Sequence, residues 1–85
     1  MNSDAITLVL QDMQKHEQEV PVLPETYVLQ TNLLDKSAIE SFHHAVKMER
    51  YDGGDRTEHI RIALIRTAAI AIRILKNMPE KKSVG

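Results

Sequence analysis

The stretch "RIALIRTAAIAIRIL", residues 61–75, constrains the fold more than any other segment of this chain. On a helical wheel of about 100° per residue, its apolar side chains form two adjacent faces. One face contains Ile60, Leu64, Ala68, Ala71 and Leu75, and the other contains Ile62, Ile65, Ala69 and Ile72. A helix that is apolar around most of its circumference is buried on several sides. The pattern therefore predicts the central helix of a helical oligomer or of a tight helical hairpin.

The composition also favours an all-α fold. The 85 residues include one Phe, two Tyr and no Trp, so the core has to be built from aliphatic side chains and Met. A core of this size is thin, and self-association is a common remedy, so we expect a homo-oligomer. Cysteine is absent, which excludes a disulfide framework, a thiolate zinc site and a cysteine nucleophile.

The sequence predicts neither a signal peptide nor a membrane-spanning helix. The N-terminus "MNSDAITLVLQDMQK" lacks the basic flank and the long apolar run of a signal peptide. The apolar run of residues 62–75 contains two arginines and is too short to span a bilayer. We expect a cytoplasmic protein with one helical domain over residues 1–78 and a flexible tail over residues 79–85.

Two further helices precede the central one. The first is predicted from about Asp4 to Glu19, with Ser3 as its N-cap, and it ends before the prolines of "VPVLPETY". The second covers at least Ser37 to Tyr51, because Ser37 and Glu40 have the spacing of a capping box. The segment "YVLQTNLLDK" contains no helix breaker, so a start near residue 27 stays open.

The third helix has the clearest boundaries. Gly53 and Gly54 form the turn before it, since glycine tolerates positive φ. Asp55 is the predicted N-cap, and Glu58 completes a second capping box. The helix is predicted to end near Asn77, before a proline.

The charges divide the chain into an acidic and a basic part. Residues 1–55 contain four Lys/Arg and ten Asp/Glu, whereas residues 56–85 contain seven Lys/Arg and two Asp/Glu. The cations of the third helix are not scattered. His59, Arg66 and Arg73 share one narrow sector of the wheel, with Arg56 at its edge. We call these four residues the basic seam.

The basic seam is a candidate anion site, because guanidinium groups bind phosphate bidentately in water-poor surroundings. His43 and Lys47 lie at the rim of the second helix and would join the seam in an antiparallel hairpin. The groove between them would have Ala63 and Ile70 as its floor. The predicted ligand-binding residues are Arg66, Arg73, His59, His43, Lys47 and Arg56.

A structural role for these arginines is the alternative. Arg66 and Arg73 can pair with carboxylates of the acidic first helix, such as Asp12, Glu17 or Glu19, since charges inside helical interfaces are usually paired. Nucleic acid is a weaker candidate, because no recognition motif and no aromatic stacking platform accompany the charge. Glu40 and His44 are spaced i, i+4, but two ligands do not make a metal site. We predict no catalytic residue, metal or cofactor, and residual enzymatic activity with Glu40 and His44 as metal ligands stays open as the weaker alternative.

The segment "RTEHIRIALIRTAAIAIRILKNM", residues 56–78, resembles the last core helix of small MazG-like proteins, which are all-α nucleoside triphosphate pyrophosphohydrolases. That helix typically reads Glu-Leu-(Val/Ile)-x-(Val/Thr)-Ala-Ala-(Val/Ile)-Ala, and residues 63–71 fit this frame. The segment "AIESFHHAV" is similar to the preceding helix of the family, with Glu40 at one of its acidic positions. The resemblance implies a nucleotide-related helical scaffold.

The family's magnesium chemistry needs several carboxylates, and this chain departs from the family there. Lys36 and Ser37 stand where a pair of acids is expected, and Ala63 stands where the frame has Glu. The resemblance therefore implies a scaffold without hydrolysis. We expect a non-catalytic oligomer of the phage anti-defence type that sequesters a nucleotide or nucleotide-derived signal. The alternative is a protein-interaction module, an inhibitor or adaptor, that acts through apolar helix faces.

Overall fold

The computed structural model describes residues 3–79, so most of the predicted tail lies outside the described residues. This part of the chain forms three helices: α1 (Ser3–Glu19), α2 (Tyr27–Glu49) and α3 (Thr57–Asn77). The predicted all-α, three-helix fold is confirmed. Within the described residues, none of the helices combines the length and the apolarity that crossing a membrane requires.

Helix α3 lies between the other two. It packs against both α1 and α2, whereas α1 and α2 do not pack against each other within residues 3–79. Four of the five buried apolar residues belong to α3, and the fifth is Met13 of α1. The four are Ala63, Ala69, Ile70 and Ile74. The covered sides are not the two apolar faces of the wheel, because only Ala69 of these four belongs to one of those faces, and Leu64 and Leu75 of the other face are more than half exposed.

Helix α2 begins at Tyr27, so the earlier of the two possible starts is the observed one. The hydroxyl of Thr26 caps it by accepting a hydrogen bond from the Leu29 amide at 3.2 Å. The predicted capping box at Ser37 is wrong. Ser37 is buried in the middle of α2, where its hydroxyl accepts a hydrogen bond of 2.9 Å from Thr67 of α3. A polar side chain that resembles a cap in the sequence therefore bridges two helices.

The turn between α2 and α3 is formed as the two glycines predict. Gly54 has a φ of 76°, which favours glycine. The Gly53 amide donates to the carbonyl oxygen of Lys47 at 3.1 Å, and an added Cβ at Gly53 would lie only 2.8 Å from that oxygen. The chain can therefore fold back this closely only with glycine at position 53. Helix α2 ends at Glu49, two residues before the predicted end.

Helix α3 starts at Thr57 and ends at the predicted residue, Asn77. The Asp55 carboxylate accepts a hydrogen bond of 3.0 Å from the Thr57 amide, and this bond lowers the pKa of Asp55. The second capping box is not what the structure shows, because the Glu58 carboxylate lies 3.3 Å from Nε of Arg61.

Helices α2 and α3 form an antiparallel hairpin. Ser37 lies beside Thr67, and nearer the turn the ring of His44 stacks on that of His59 with centroids 4.8 Å apart. Asp12 and Glu19, about 10 Å apart along α1, both reach Arg66 of α3.

Helix α2 packs with its polar side inward. Gln30 and Ser37, each 5% exposed, are its buried residues, whereas Phe42 is 61% exposed. Val28 and Ile39 are also more than half exposed. In an ordinary amphipathic helix the apolar side faces the core. Within residues 3–79, these three apolar side chains of α2 are therefore left largely uncovered.

Candidate functional site

A cleft of about 310 Å³ opens between α1 and α2, over one side of α3. We call it the polar cleft. It is lined by Asp12, Lys15, Glu40, His44, His59, Ile62, Ala63 and Arg66. Ala63, one of the two predicted floor residues, lines this cleft, whereas Ile70, the other, is buried and does not line it.

Arg66 is held by two carboxylates of α1. Its Nε and Nη2 donate to Asp12 at 2.7 and 3.1 Å, and its Nη1 donates to Glu19 at 2.9 Å. The bidentate geometry is the strong form of this contact. The hydrogen bonds from Arg66 to Asp12 raise the pKa of Arg66 above its ordinary value. The structural alternative weighed from the sequence is thus the arrangement that the structure shows for Arg66.

Arg73 caps the C-terminal end of α1. It is 8% exposed, and its Nη1 donates to the carbonyl oxygen of Val20 at 2.8 Å and to Nδ1 of His16 at 3.0 Å. The last carbonyls of a helix have no partner within it and carry the negative end of its dipole. A buried cation satisfies both requirements. The acceptors of Arg73 are a carbonyl oxygen and an imidazole nitrogen, so the pattern of opposite charges in the sequence does not predict this role.

The contact with Arg73 also assigns the state of His16. Because the guanidinium can only donate, Nδ1 of His16 is an acceptor and the ring is neutral, with its proton on Nε2. Burial lowers the pKa of His16, and the charges of Arg66 and Arg73 lower it further.

We expect this histidine to make the fold sensitive to acid. Its pKa is lower in the folded than in the unfolded chain, so the unfolded chain binds more protons as the pH falls below about 6.5. The contribution of His16 to the free energy of unfolding is complete above about pH 6.5 and decreases as the pH falls below that value. Urea midpoints at neutral and mildly acidic pH would measure the loss. His16→Gln, which keeps an acceptor for Arg73 but cannot titrate, should show a smaller loss. An equal loss in both proteins would refute the assignment.

A second cluster of nitrogen-containing side chains lies near the turn of the hairpin. Arg56 Nη1 donates to Nδ1 of His44 at 3.1 Å, and His44 stacks on His59. Desolvation and the neighbours His59 and Arg56 lower the pKa of His44. The structure therefore brings Arg56 and His59 of the predicted site together, with His44 as the residue that links them.

His43 and Lys47 are exposed on α2 and do not line the polar cleft. Their places are taken by Glu40 and His44, because α2 turns its polar side towards α3. The signal for this was present in the sequence, since Gln30, Ser37 and His44 recur every seven residues on one side of the helix.

The polar cleft is electrically balanced. Lys15 and Arg66 contribute two positive charges, and Asp12 and Glu40 contribute two negative ones. Among the residues that the structure describes, no three His, Asp or Glu side chains are grouped so that they could hold a metal ion. The three nitrogens of the Arg66 guanidinium are already engaged. The cleft thus resembles an internal ion-pair network more than a preformed phosphate site.

Comparison with known proteins finds no match. No protein-family model, no curated protein and no solved structure matches this chain. The MazG-like resemblance therefore stays a prediction. The surface of the molecule is the remaining evidence on its function.

The opposite side of the hairpin carries the most distinctive surface, which we call the apolar face. It consists of Leu34, Ala38, Phe42 and Ala45 of α2 with Ile60, Leu64, Ala71 and Leu75 of α3. On each helix these residues lie about 120–180° around the axis from Glu40 and Arg66, which line the polar cleft. The hairpin therefore has one polar and one apolar side.

The apolar face extends onto α1. A groove of about 610 Å³ runs between the N-terminal half of α1 and that of α3. Its lining includes Leu8 of α1 with Ile60 and Leu64 of α3. Leu64, Leu75 and Phe42 are each more than half exposed. Monomeric proteins rarely expose a contiguous apolar surface of this kind unless another molecule covers it.

Proposed function

We propose that this chain is a non-catalytic protein-binding module that docks another protein chain on its apolar face. The observation that carries the proposal is the orientation of α2, which buries Gln30 and Ser37 and exposes Phe42. A helix gains nothing from exposing its apolar side in water. The arrangement is favourable when a partner removes that side from solvent.

The magnitudes are consistent with binding. Full burial of a Leu or Phe side chain is worth roughly 1.5–3 kcal/mol. Burial of Phe42, Leu64 and Leu75 against a partner would together contribute several kcal/mol to binding. The small, partly buried alanines between them allow the partner to approach closely. Spacings of three and four residues, as in Ala38, Phe42 and Ala45, suit a partner helix. An adaptor or inhibitor would use such a surface.

Nucleotide sequestration, the other function expected from the sequence, stays a prediction. Its principal residues, Arg66 and Arg73, are held by side chains and carbonyl oxygens of α1. A phosphate would have to displace Asp12 and Glu19 from Arg66, and the desolvation that favours phosphate favours those carboxylates equally. Among the residues that the structure describes, the apolar face has no such internal competitor, so it is the better-supported site.

Photo-crosslinking tests the proposal directly. A photoreactive amino acid is placed at Phe42, on the apolar face, and in a matched variant at Glu40, which is also exposed but lines the polar cleft. We expect protein adducts from position 42 and few from position 40. The adduct is identified by mass spectrometry, and its partner is then purified and titrated against the wild type and Phe42→Glu.

The outcomes separate clearly. The proposal gains support if the purified partner, which can be a second copy of this chain, binds the wild type and binds Phe42→Glu at least tenfold more weakly. It fails if position 42 gives no protein adduct, or if positions 40 and 42 react equally. It also fails if the partner binds both proteins with the same affinity.

A further inference from the structure

The apolar face has a regular arrangement of large and small residues. The contacts between Ser37 and Thr67 and between His44 and His59 set the register of the hairpin. We call residues of α2 and α3 that lie at the same height along the hairpin axis residues of the same level. In this register Leu34 and Ala71 are at about the same level, and so are Ala45 and Ile60. Phe42 and Leu64 lie between these two levels. Large residues of one helix are thus paired with small residues of the other at two levels.

This arrangement is complementary to itself. A two-fold axis that runs along the hairpin places α2 of one copy over α3 of the other, antiparallel, as within each hairpin. Residues of the same level then meet across the interface. Leu34 of one copy faces Ala71 of the other, and Ala45 faces Ile60. The two hairpins form a bundle of four helices, two from each copy, and each copy of α1 lies on the outside of this bundle.

The charges at the margins favour the same axis. Arg61 lies at the α3 margin of the apolar face, 3.3 Å from its own Glu58. Asp35 lies at the α2 margin, whereas Glu49 lies between Ala38 and Phe42 around the axis, at the end of α2. The axis along the hairpin brings the α2 margin of one copy to the α3 margin of the other, where Arg61 stands about 12 and 9 Å along the axis from Asp35 and Glu49 and attracts both at long range. The perpendicular axis would stack α2 on α2 and bring Asp35 of one copy towards Glu49 of the other, which is unfavourable.

We infer that the occupant of the apolar face is a second copy of this chain, in a two-fold dimer with Ala45 of one copy against Ile60 of the other. The inference rests on the proposed function, whose docking surface it uses. The thin core supports it, because the described residues contain only five buried apolar side chains. A second copy supplies the missing layer and is present at the concentration of the chain itself.

Analytical ultracentrifugation of the full chain tests the dimer. We expect twice the chain mass of 9.7 kDa, with a dimer dissociation constant at least tenfold higher in Leu64→Glu. The matched control is Ile62→Glu. Ile62 is 59% exposed and Leu64 54%, on the same helix, but Ile62 lines the polar cleft. The control should remain a dimer. A monomeric wild type, or equal weakening by both substitutions, overturns the inference.

The absence of native cysteine allows a test of the geometry. Ala45→Cys and Ile60→Cys are made in separate proteins, mixed and oxidised, so that every disulfide joins two chains. The expected product is the mixed disulfide between the two variants. Disulfides that form only between two copies of the same variant indicate the perpendicular axis and overturn the inference.

The dimer and the docking function can fail separately. A monomeric wild type whose position 42 still crosslinks to a different protein, which binds Phe42→Glu more weakly, refutes the second copy and leaves the docking function intact. A monomer without adducts refutes both.

Discussion

Substitution of Arg73 by methionine should lower the free energy of unfolding by about 3 kcal/mol. Methionine keeps the unbranched apolar stem of arginine as far as about the position of Nε and lacks the guanidinium carbon and its nitrogens. It leaves the Val20 carbonyl and Nδ1 of His16 without their donor in a buried place. Unpaired buried polar groups cost about 1–3 kcal/mol each, and the dipole of α1 loses its cation as well.

The control for Arg73 is Lys76, which lies three residues further along α3 and is exposed. Lys76→Met removes the same charge but no buried contact, so its effect should stay within about 0.5 kcal/mol. Urea denaturation followed by circular dichroism measures both. If Arg73→Met were as stable as Lys76→Met, the capping role of Arg73 would be wrong, and the cation would be available to a ligand.

The second large effect is expected at Ala69, which is 0% exposed on the side of α3 that faces α1. Ala69→Leu inserts three carbon atoms where no space exists, and overpacking of this kind costs about 1–3 kcal/mol. We expect a loss of about 2 kcal/mol in the free energy of unfolding. The two helices have to move apart to accept the side chain, which also strains the contact between Arg66 and Asp12.

Ala68 is the matched control, because it is the neighbouring alanine and is only half buried. It lines an open hollow of about 230 Å³ with Ala5, Ile6, Val9 and Ile72. Ala68→Leu extends into this hollow, so its stability should change by no more than about 0.5 kcal/mol. Thermal and urea unfolding of the two variants should therefore differ clearly. Equal destabilisation would mean that α1 covers α3 more closely than the structure shows.

The helices of this protein were predictable where their signals are local. Two apolar faces on one helix predict a central position, and α3 occupies it between α1 and α2. The end of α3 at Asn77 follows from the proline after it. The start of α2 was ambiguous, because Ser37 has the spacing of a capping box while the segment from residue 27 contains no helix breaker. Only the hydrogen bond to Thr67, thirty residues away, shows that Ser37 is a contact between helices and not a cap.

The site was predictable only in part. The opposite charges of the two parts of the chain favoured an ion pair for Arg66, and Asp12 was among the partners considered. The partners of Arg73 were not foreseeable, since carbonyl oxygens at the end of a helix exist in every helical sequence. Which carbonyls a distant arginine meets depends on where α1 ends in space relative to α3.

The sequence by itself determined that the chain is all-α, that it has three helices and that residues 57–77 form the central one. The reason is that hydrophobic periodicity and helix caps are local properties of the chain. Only the tertiary structure decided that α2 turns Gln30 and Ser37 inward and Phe42 outward. A helix with a polar and an apolar side can pack on either, and the hydrogen bond between Ser37 and Thr67, thirty residues apart, forms only once α2 and α3 lie side by side.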